Sequence, residues 1–184
     1  KDQNLNDNLV YYKKHLASFN SKYDCMGFVV KNRFGQRCKV RNPNYENVKK
    51  LRGNQPKLQY QYLVLRKANK VSEYLKYYKE DKNKFAKFQG QIHEFTNGLF
   101  QNYISCYIKK ENKLTTYPNR FKTHMYKIHN EIYLQSLKQN RKHVTFEVVK
   151  NYVNNLHPSQ QMYSINFDKN YEKKDYTFSV ASAI

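Results

Sequence analysis

The feature that most constrains this chain is a pair of short segments on either side of a glycine turn. Residues 27–31 and 37–41 each have the length of a strand, and Gly35 between them can adopt the positive φ that a tight turn requires. Side chains alternate between the two faces of a strand. One face of the second segment therefore carries Arg37, Lys39 and Arg41. The sequence predicts an antiparallel hairpin with one cationic face, and three cations on one face need an anion.

The charge balance indicates what that anion is. The chain has 34 Lys and Arg against 14 Asp and Glu, a formal net charge of +20. AT-rich codons account for much of the Lys, Asn, Tyr, Ile and Phe content, but they do not remove acidic residues. A phosphate-bearing partner, nucleic acid with RNA favoured, is therefore predicted. A solvated basic surface and a protein partner are the alternatives.

Several classes of protein are disfavoured. No apolar run approaches the roughly 18–20 residues of a membrane-spanning helix, so no membrane partner is expected. Cys25, Cys38 and Cys106 are far apart and form no CxxC pair, which argues against a zinc site or a disulfide framework. The first residues contain no apolar signal region and resemble the middle of a longer protein. The expected location is a reducing compartment, the cytoplasm, with a virus-infected cell or a virion as the further options.

The apolar spacing predicts an α+β fold, in which a short hairpin is followed by a mainly helical domain. Helices are predicted at 8–19, 58–78 and 81–110, and from Pro118 and Thr145 onward. Residues 42–57 read as a linker. The predicted domains are residues 1–57, a helical domain at 58–166 and a tail at 167–184.

The hairpin also carries a recognisable order of motifs. They are Met26-Gly27-Phe28-Val29-Val30, then after the turn Lys39-Val40-Arg41, then Asn42-Pro43-Asn44-Tyr45. This order resembles the end of the adenylylation domain in T4-type ATP-dependent RNA ligases, members of the nucleotidyltransferase superfamily. The resemblance implies a helical C-terminal domain that guides RNA choice. It also implies ATP and Mg²⁺ as cofactors of the complete enzyme.

The resemblance places Lys39 and Arg41, with Lys31 beside them, on the phosphates of the nucleotide. Charge alone supports that role, since cations directed at transferring phosphoryl oxygens stabilise the charge that develops there. Arg41 stands where the family pattern has Lys, and its planar fork differs in geometry from an ammonium.

Two departures bear on activity. Met26 occupies the position of a metal-binding Glu, and a thioether does not coordinate Mg²⁺, which prefers oxygen ligands. The Lys-x-Asp-Gly element that would supply the nucleophilic lysine is absent from these 184 residues. The chain alone is therefore predicted to be inactive and to need neither ATP nor Mg²⁺. Asp24 could supply the missing carboxylate through a shift of register.

Further basic residues are predicted to contact nucleic acid. One of them is Arg37 on the hairpin. The others are Lys49, Lys50, Arg52 and Lys57 beside the hairpin, and Arg66, Lys67 and Lys70 in an aromatic-rich run. Interleaved Lys and Tyr suit a single strand, with cations on the backbone and rings on the bases. The alternative is that the tyrosines belong to the core and the lysines to a solvated face.

Two functions remain open. The chain is either the C-terminal part of an RNA ligase, which joins RNA ends by adenylyl transfer when an upstream portion completes it, or a catalytically inactive, ligase-derived basic protein. The second would bind or package nucleic acid, as a structural component of a virus for example.

Overall fold

The computed structural model describes the backbone of residues 2–169 and the side chains of residues 7–169. The fold is α+β, as predicted: a two-stranded antiparallel sheet and then a mainly helical region. The elements are α1 (Asp2–Leu16), β1 (Gly27–Lys31), β2 (Arg37–Arg41), α2 (Pro43–Arg52), α3 (Leu58–Lys67), α4 (Val71–Tyr77), α5 (Lys82–Tyr103), α6 (Asn119–Lys127), α7 (Phe146–Asn155) and α8 (Pro158–Ile165). Two π-helical segments, Ile104–Ile108 and Ile128–Leu137, continue α5 and α6.

The chain divides into two compact units. The first comprises the residues up to Lys57 together with Asn69–Lys79, and the second comprises Leu58–Ala68 together with the residues from Glu80 onward. Residues 69–79, which the sequence placed in the helical domain, thus group with the hairpin. Of the predicted tail at 167–184, residues 170–184 lie outside the described residues.

The hairpin has the strand limits that the sequence predicted. Asn32 organises the turn: its Oδ1 accepts hydrogen bonds from the backbone N–H groups of Phe34 and Gln36, each at 2.9 Å. Gly35 adopts φ 85°, which a residue with a side chain rarely does. The apolar face packs towards α1, where the rings of Tyr12 and Phe28 lie 6.0 Å apart.

The prediction of a linker at residues 42–57 was wrong over most of that range, because residues 43–52 form helix α2. Asn42 caps this helix: its Oδ1 accepts a hydrogen bond from the N–H of Asn44 at 2.9 Å, and Pro43 occupies the first turn. The amide nitrogen of Asn42 donates to the carbonyls of Lys22 at 2.6 Å and Cys25 at 2.8 Å. One fully buried side chain therefore joins the 22–25 loop, the end of β2 and the start of α2.

The helix predicted at 58–78 is interrupted. Asn69 adopts φ 55° between α3 and α4, and the two helices belong to different units. Within the first unit, α4 lies against α2, where the hydroxyl of Tyr78 donates to the carbonyl of Val48 at 3.1 Å.

The core of the second unit is built on α5. Six apolar side chains of α5 and of the π-helical segment that follows it are buried: Phe85, Ile92, Phe95, Leu99, Tyr103 and Cys106. The ring of Phe95 stacks on that of Phe121 from α6, with 5.4 Å between centroids.

His124 on α6 lies in a chain of hydrogen bonds whose direction can be assigned. The hydroxyl of Ser164 lies 2.9 Å from the carbonyl oxygen of Gln160, which can only accept, so the tautomer that makes every contact a hydrogen bond has His124 Nε2 donating to Ser164 Oγ at 2.8 Å. His124 Nδ1 then accepts from the hydroxyl of Tyr152 at 2.9 Å. Burial, with the positive charge of Lys127, lowers the pKa of His124 to about 4. The imidazole is therefore neutral at neutral pH.

Replacing Asn42 by Ala should destabilise the first unit by about 2–4 kcal/mol, because two partly buried carbonyl contacts and one helix N–H lose their partner. Amide hydrogen exchange of the hairpin measures this, with Asn47→Ala, an exposed asparagine on the same helix, as the control. Equal exchange rates in the two variants would contradict the role assigned to Asn42.

The second unit should lose stability as the pH falls from about 6.5 to 4. In this window the unfolded chain protonates His124 and the folded protein does not, so acid favours unfolding. The full effect is on the order of 3 kcal/mol. Urea unfolding of the protein and of the non-titrating His124→Gln variant measures it. The difference in unfolding free energy between the protein and His124→Gln should decrease as the pH falls from about 6.5 to 4. A difference that stays constant over this range would contradict the lowered pKa of His124.

Candidate functional site

The candidate site is the cationic face of the hairpin together with the adjacent side of α2. In the register of the strands, Gly27 is opposite Arg41, Val29 is opposite Lys39 and Lys31 is opposite Arg37. Residues directly opposite each other in an antiparallel pair point to the same side. All four cations that the sequence singled out on the hairpin, Lys31, Arg37, Lys39 and Arg41, therefore share one exposed face.

Gly27 sets how closely the strands approach at the base of this face. Its φ is 112°, and a Cβ atom added there would lie 2.1 Å from the carbonyl oxygen of Val40. Any side chain would thus force the strands apart where Arg41 faces Gly27. The glycine of the motif is required by backbone geometry, independently of any ligand.

Helix α2 closes one side of the face. Because Asn42 fixes the start of the helix, residues three apart along its first turns point the same way, and Glu46 and Lys49 both face the hairpin. A surface pocket of about 300 Å³ lies between the two elements. Its lining side chains include Met26, Val29, Lys39, Arg41, Tyr45, Glu46 and Lys49.

The pocket is lined by three cations, Lys39, Arg41 and Lys49, and one carboxylate, that of Glu46. Arg41 Nη1 pairs with Glu46 Oε1 at 2.8 Å, and the arginine side chain remains 59% exposed. Within residues 7–169, no ion pair joins an acidic side chain to Lys31, Arg37, Lys39 or Lys49. An exposed ion pair contributes at most about 1 kcal/mol, so an incoming anion can compete with Glu46 for Arg41.

The pocket does not fit Mg²⁺. Met26 presents a thioether, 66% exposed, at its rim. The carboxylate in the pocket is that of Glu46, which is already paired with Arg41. Asp24 is not among the lining residues, so the register of the strands does not bring it to the position of Met26. In the part of the chain that the structure describes, no group of three or more His, Cys, Asp or Glu side chains is arranged to hold a metal ion.

The remaining predicted contacts lie in different places. Lys49 lines the pocket, Lys50 and Lys57 are exposed, and the guanidinium of Arg52 lies 5.3 Å from the ring centre of Tyr78. Lys70 is exposed at the start of α4.

Two cations of the aromatic-rich run contact residues of α7 and its C-terminal end within the second unit. Arg66 donates to Asn154 Oδ1 at 2.7 Å. The ammonium of Lys67 lies 3.4 Å from the carbonyl oxygen of Asn155 and 3.5 Å from that of Leu156, at the C-terminus of α7. Cations stabilise that end of a helix. Nucleic acid is not needed to account for either residue.

Glu46 is the site residue whose role the sequence did not assign. The signal was present: Asn42 and Pro43 mark a helix start, and Tyr45, Glu46 and Lys49 then fall on its first turns. The interpretation of residues 42–57 as a linker concealed this pattern.

Comparison of the chain with family models, curated proteins and solved structures finds no match. None of the helices described between residues 2 and 169 combines the length and the apolar character needed to cross a membrane.

Neutralising Glu46 should strengthen anion binding at the pocket about fivefold, because Arg41 loses its competing carboxylate. Calorimetric titration of Glu46→Gln with pyrophosphate measures this. The control is Glu73→Gln, which removes an exposed carboxylate of the same unit that is not part of this pocket. Unchanged or weaker binding by Glu46→Gln would show that Arg41 takes no part.

Proposed function

We propose that the first unit is the closing part of a nucleotidyltransferase domain of the RNA ligase type, and that it binds nucleotide and RNA phosphates on its hairpin. The observation that carries the proposal is the shared face of Lys31, Arg37, Lys39 and Arg41, with Lys49 added across the pocket. In this proposal an upstream portion of the protein completes the domain, and the complete protein joins RNA ends by adenylyl transfer.

Lys39 and Arg41 act on the phosphates in this proposal. Both border the pocket, and cations held in fixed positions stabilise the charge that accumulates on phosphoryl oxygens during transfer. Lys39 supplies a point charge, while the fork of Arg41 can hold two oxygens at once. The nucleophilic lysine and the metal-binding carboxylates have to come from outside these residues.

The apolar surface of the first unit supports an additional packing partner. Phe19 is 79% exposed and Val10 is 66% exposed. Together with Ala17 and Pro43, they line an open groove of about 540 Å³. Apolar side chains grouped in this way usually meet another protein surface. A lone two-stranded hairpin is also marginally stable. The occupant that fits this proposal is the rest of the nucleotidyltransferase domain.

Met26 favours a second candidate, a ligase-derived protein that binds nucleic acid without catalysis. The hairpin keeps the cations that hold phosphate, while the position that would hold the metal carries a thioether. Such a protein would bind RNA through the same face and would have no need of an upstream catalytic portion.

The test uses the protein expressed with whatever sequence precedes residue 1 in its gene. Incubation with radiolabelled ATP should yield a covalent adenylate, and the protein should then seal nicked or single-stranded RNA. Lys39→Ala should abolish transfer of the adenylyl group. Lys87→Ala, which removes an exposed lysine of α5, should leave it intact.

Binding of single-stranded RNA, measured across a range of salt concentrations, separates the two candidates. Salt-dependent binding without adenylate formation, with a salt slope about 0.7 smaller in Lys39→Ala, identifies the binding protein. A protein that forms no adenylate and binds no RNA would refute both.

A further inference from the structure

The second unit has a polar surface pocket that the hairpin proposal does not involve. It lies among α6, α7 and α8, has a volume of about 440 Å³ and has neither Asp nor Glu among its lining residues. Its lining includes Arg120, Lys127, Tyr152, Gln160 and Tyr163. The pocket thus combines cations, an amide and exposed aromatic surface, and its volume lies in the range of small-molecule sites.

The floor of the pocket is the chain of hydrogen bonds through His124. Although Ser164 and His124 are 2.8 Å apart, the serine proton is directed at the carbonyl of Gln160. The serine is therefore not activated as a nucleophile. This arrangement gives the pocket a floor of uncharged side chains that are hydrogen-bonded to one another.

Lys127 is the cation of this pocket that forms no ion pair within the described side chains. The charge of Glu131, four residues further on, nevertheless acts on the neighbouring Tyr152, whose pKa is raised first by burial and then by that charge. Arg120 is already paired with Asp168 at 2.8 Å, and its guanidinium lies 4.5 Å from the ring centre of Phe121. Lys127 is half-buried, and across the described side chains it forms no ion pair. A partly desolvated ammonium without a partner is stabilised by an incoming anion.

Tyr163 provides the aromatic surface. Its side chain is 59% exposed, and the ring of Phe167 packs against it at 5.6 Å with an angle of 88° between the planes. Gln160 is on the same helix, and its Oε1 accepts the N–H of His157, which orients the amide. A flat ring, an oriented amide and an ammonium are the groups that hold a base and its phosphate.

We propose that this pocket binds one nucleotide of a single-stranded nucleic acid, with the base stacked on Tyr163 and the phosphate on Lys127. The site is separate from the hairpin face and does not require the adenylyl-transfer proposal. It gives the second unit a nucleic-acid contact at residues that the sequence did not single out.

Photocrosslinking tests the placement of the base. The whole chain is irradiated with a short oligouridylate that carries 4-thiouridine, and the attached peptide is identified by mass spectrometry. The crosslink should fall on the peptide that contains Tyr163, and excess unlabelled oligouridylate should suppress it. Crosslinks confined to the hairpin peptides would overturn the proposal.

Anisotropy titrations with labelled oligouridylate test the energetics. Tyr163→Ala should weaken binding at least about fivefold, the effect expected of one stacked base. Tyr126→Ala, which removes another exposed tyrosine of the same unit, is the control. Lys127→Gln should weaken binding of oligouridylate and oligothymidylate alike, since the phosphate is common to both, whereas Lys87→Gln should not.

Outcomes for the two sites can be told apart. If Lys39→Ala weakens binding and the pocket variants equal their controls, the pocket proposal fails while the hairpin proposal stands. If Tyr163→Ala and Lys127→Gln weaken binding and Lys39→Ala does not, the reverse holds. Absence of binding by the unaltered chain would overturn both.

The pKa of His124 provides a further check. Since the charge of Lys127 contributes to its low pKa, a phosphate bound there should raise that pKa. The imidazole proton resonances, followed by NMR during titration with uridine monophosphate, measure it. An unchanged pKa at saturation would contradict the placement of the phosphate.

Discussion

The first unit depends on the hydrogen bonds of one buried side chain, that of Asn42. Its amide holds the carbonyls of Lys22 and Cys25, and its carbonyl oxygen begins helix α2. The backbone N–H of Asn42 also donates to the carbonyl of Met26 at 3.1 Å. These bonds fix α2 relative to the hairpin, which has little buried apolar surface to do so. The side chains of α2 consequently lie beside Lys39 and Arg41.

The arrangement separates phosphate binding from metal chemistry. Binding needs only cations in fixed positions, and the register of the hairpin with the start of α2 supplies them. Metal chemistry needs oxygen ligands, and the pocket offers one carboxylate, already paired with Arg41, beside the thioether of Met26. The side chains that line the pocket are thus of the kind that hold phosphate, and they do not include the oxygen ligands that a metal-assisted transfer uses. In the proposed RNA ligase, an upstream portion supplies both the nucleophile and the metal ligands.

The sequence predicted the hairpin well because its signals are local: alternating side chains and a glycine turn. The prediction was wrong where one local sequence pattern is compatible with two different structures. Asn42 and Pro43 can end a strand or open a helix, and Pro158 both follows α7 and begins α8. The helix break at Asn69 has no neighbouring Gly or Pro from which it could be predicted. The role of Lys67 at the end of α7 depends on a contact between distant parts of the chain, which spacing along the sequence does not encode. The cationic face was foreseen, but the side of the pocket formed by α2 was not.

The most direct test of the central claim is an NMR titration of the nitrogen-15-labelled chain with adenosine monophosphate. The claim is that the hairpin and α2 together form a phosphate site. It predicts saturable shifts that are largest at the amides of Lys39, Arg41 and Lys49. The amide of Glu46 should shift as well, because Arg41 leaves its ion pair with Glu46 to bind the ligand. Weak, non-saturating shifts spread over lysines throughout the chain would contradict it, because they would show that the net charge of +20 attracts phosphate without a formed site.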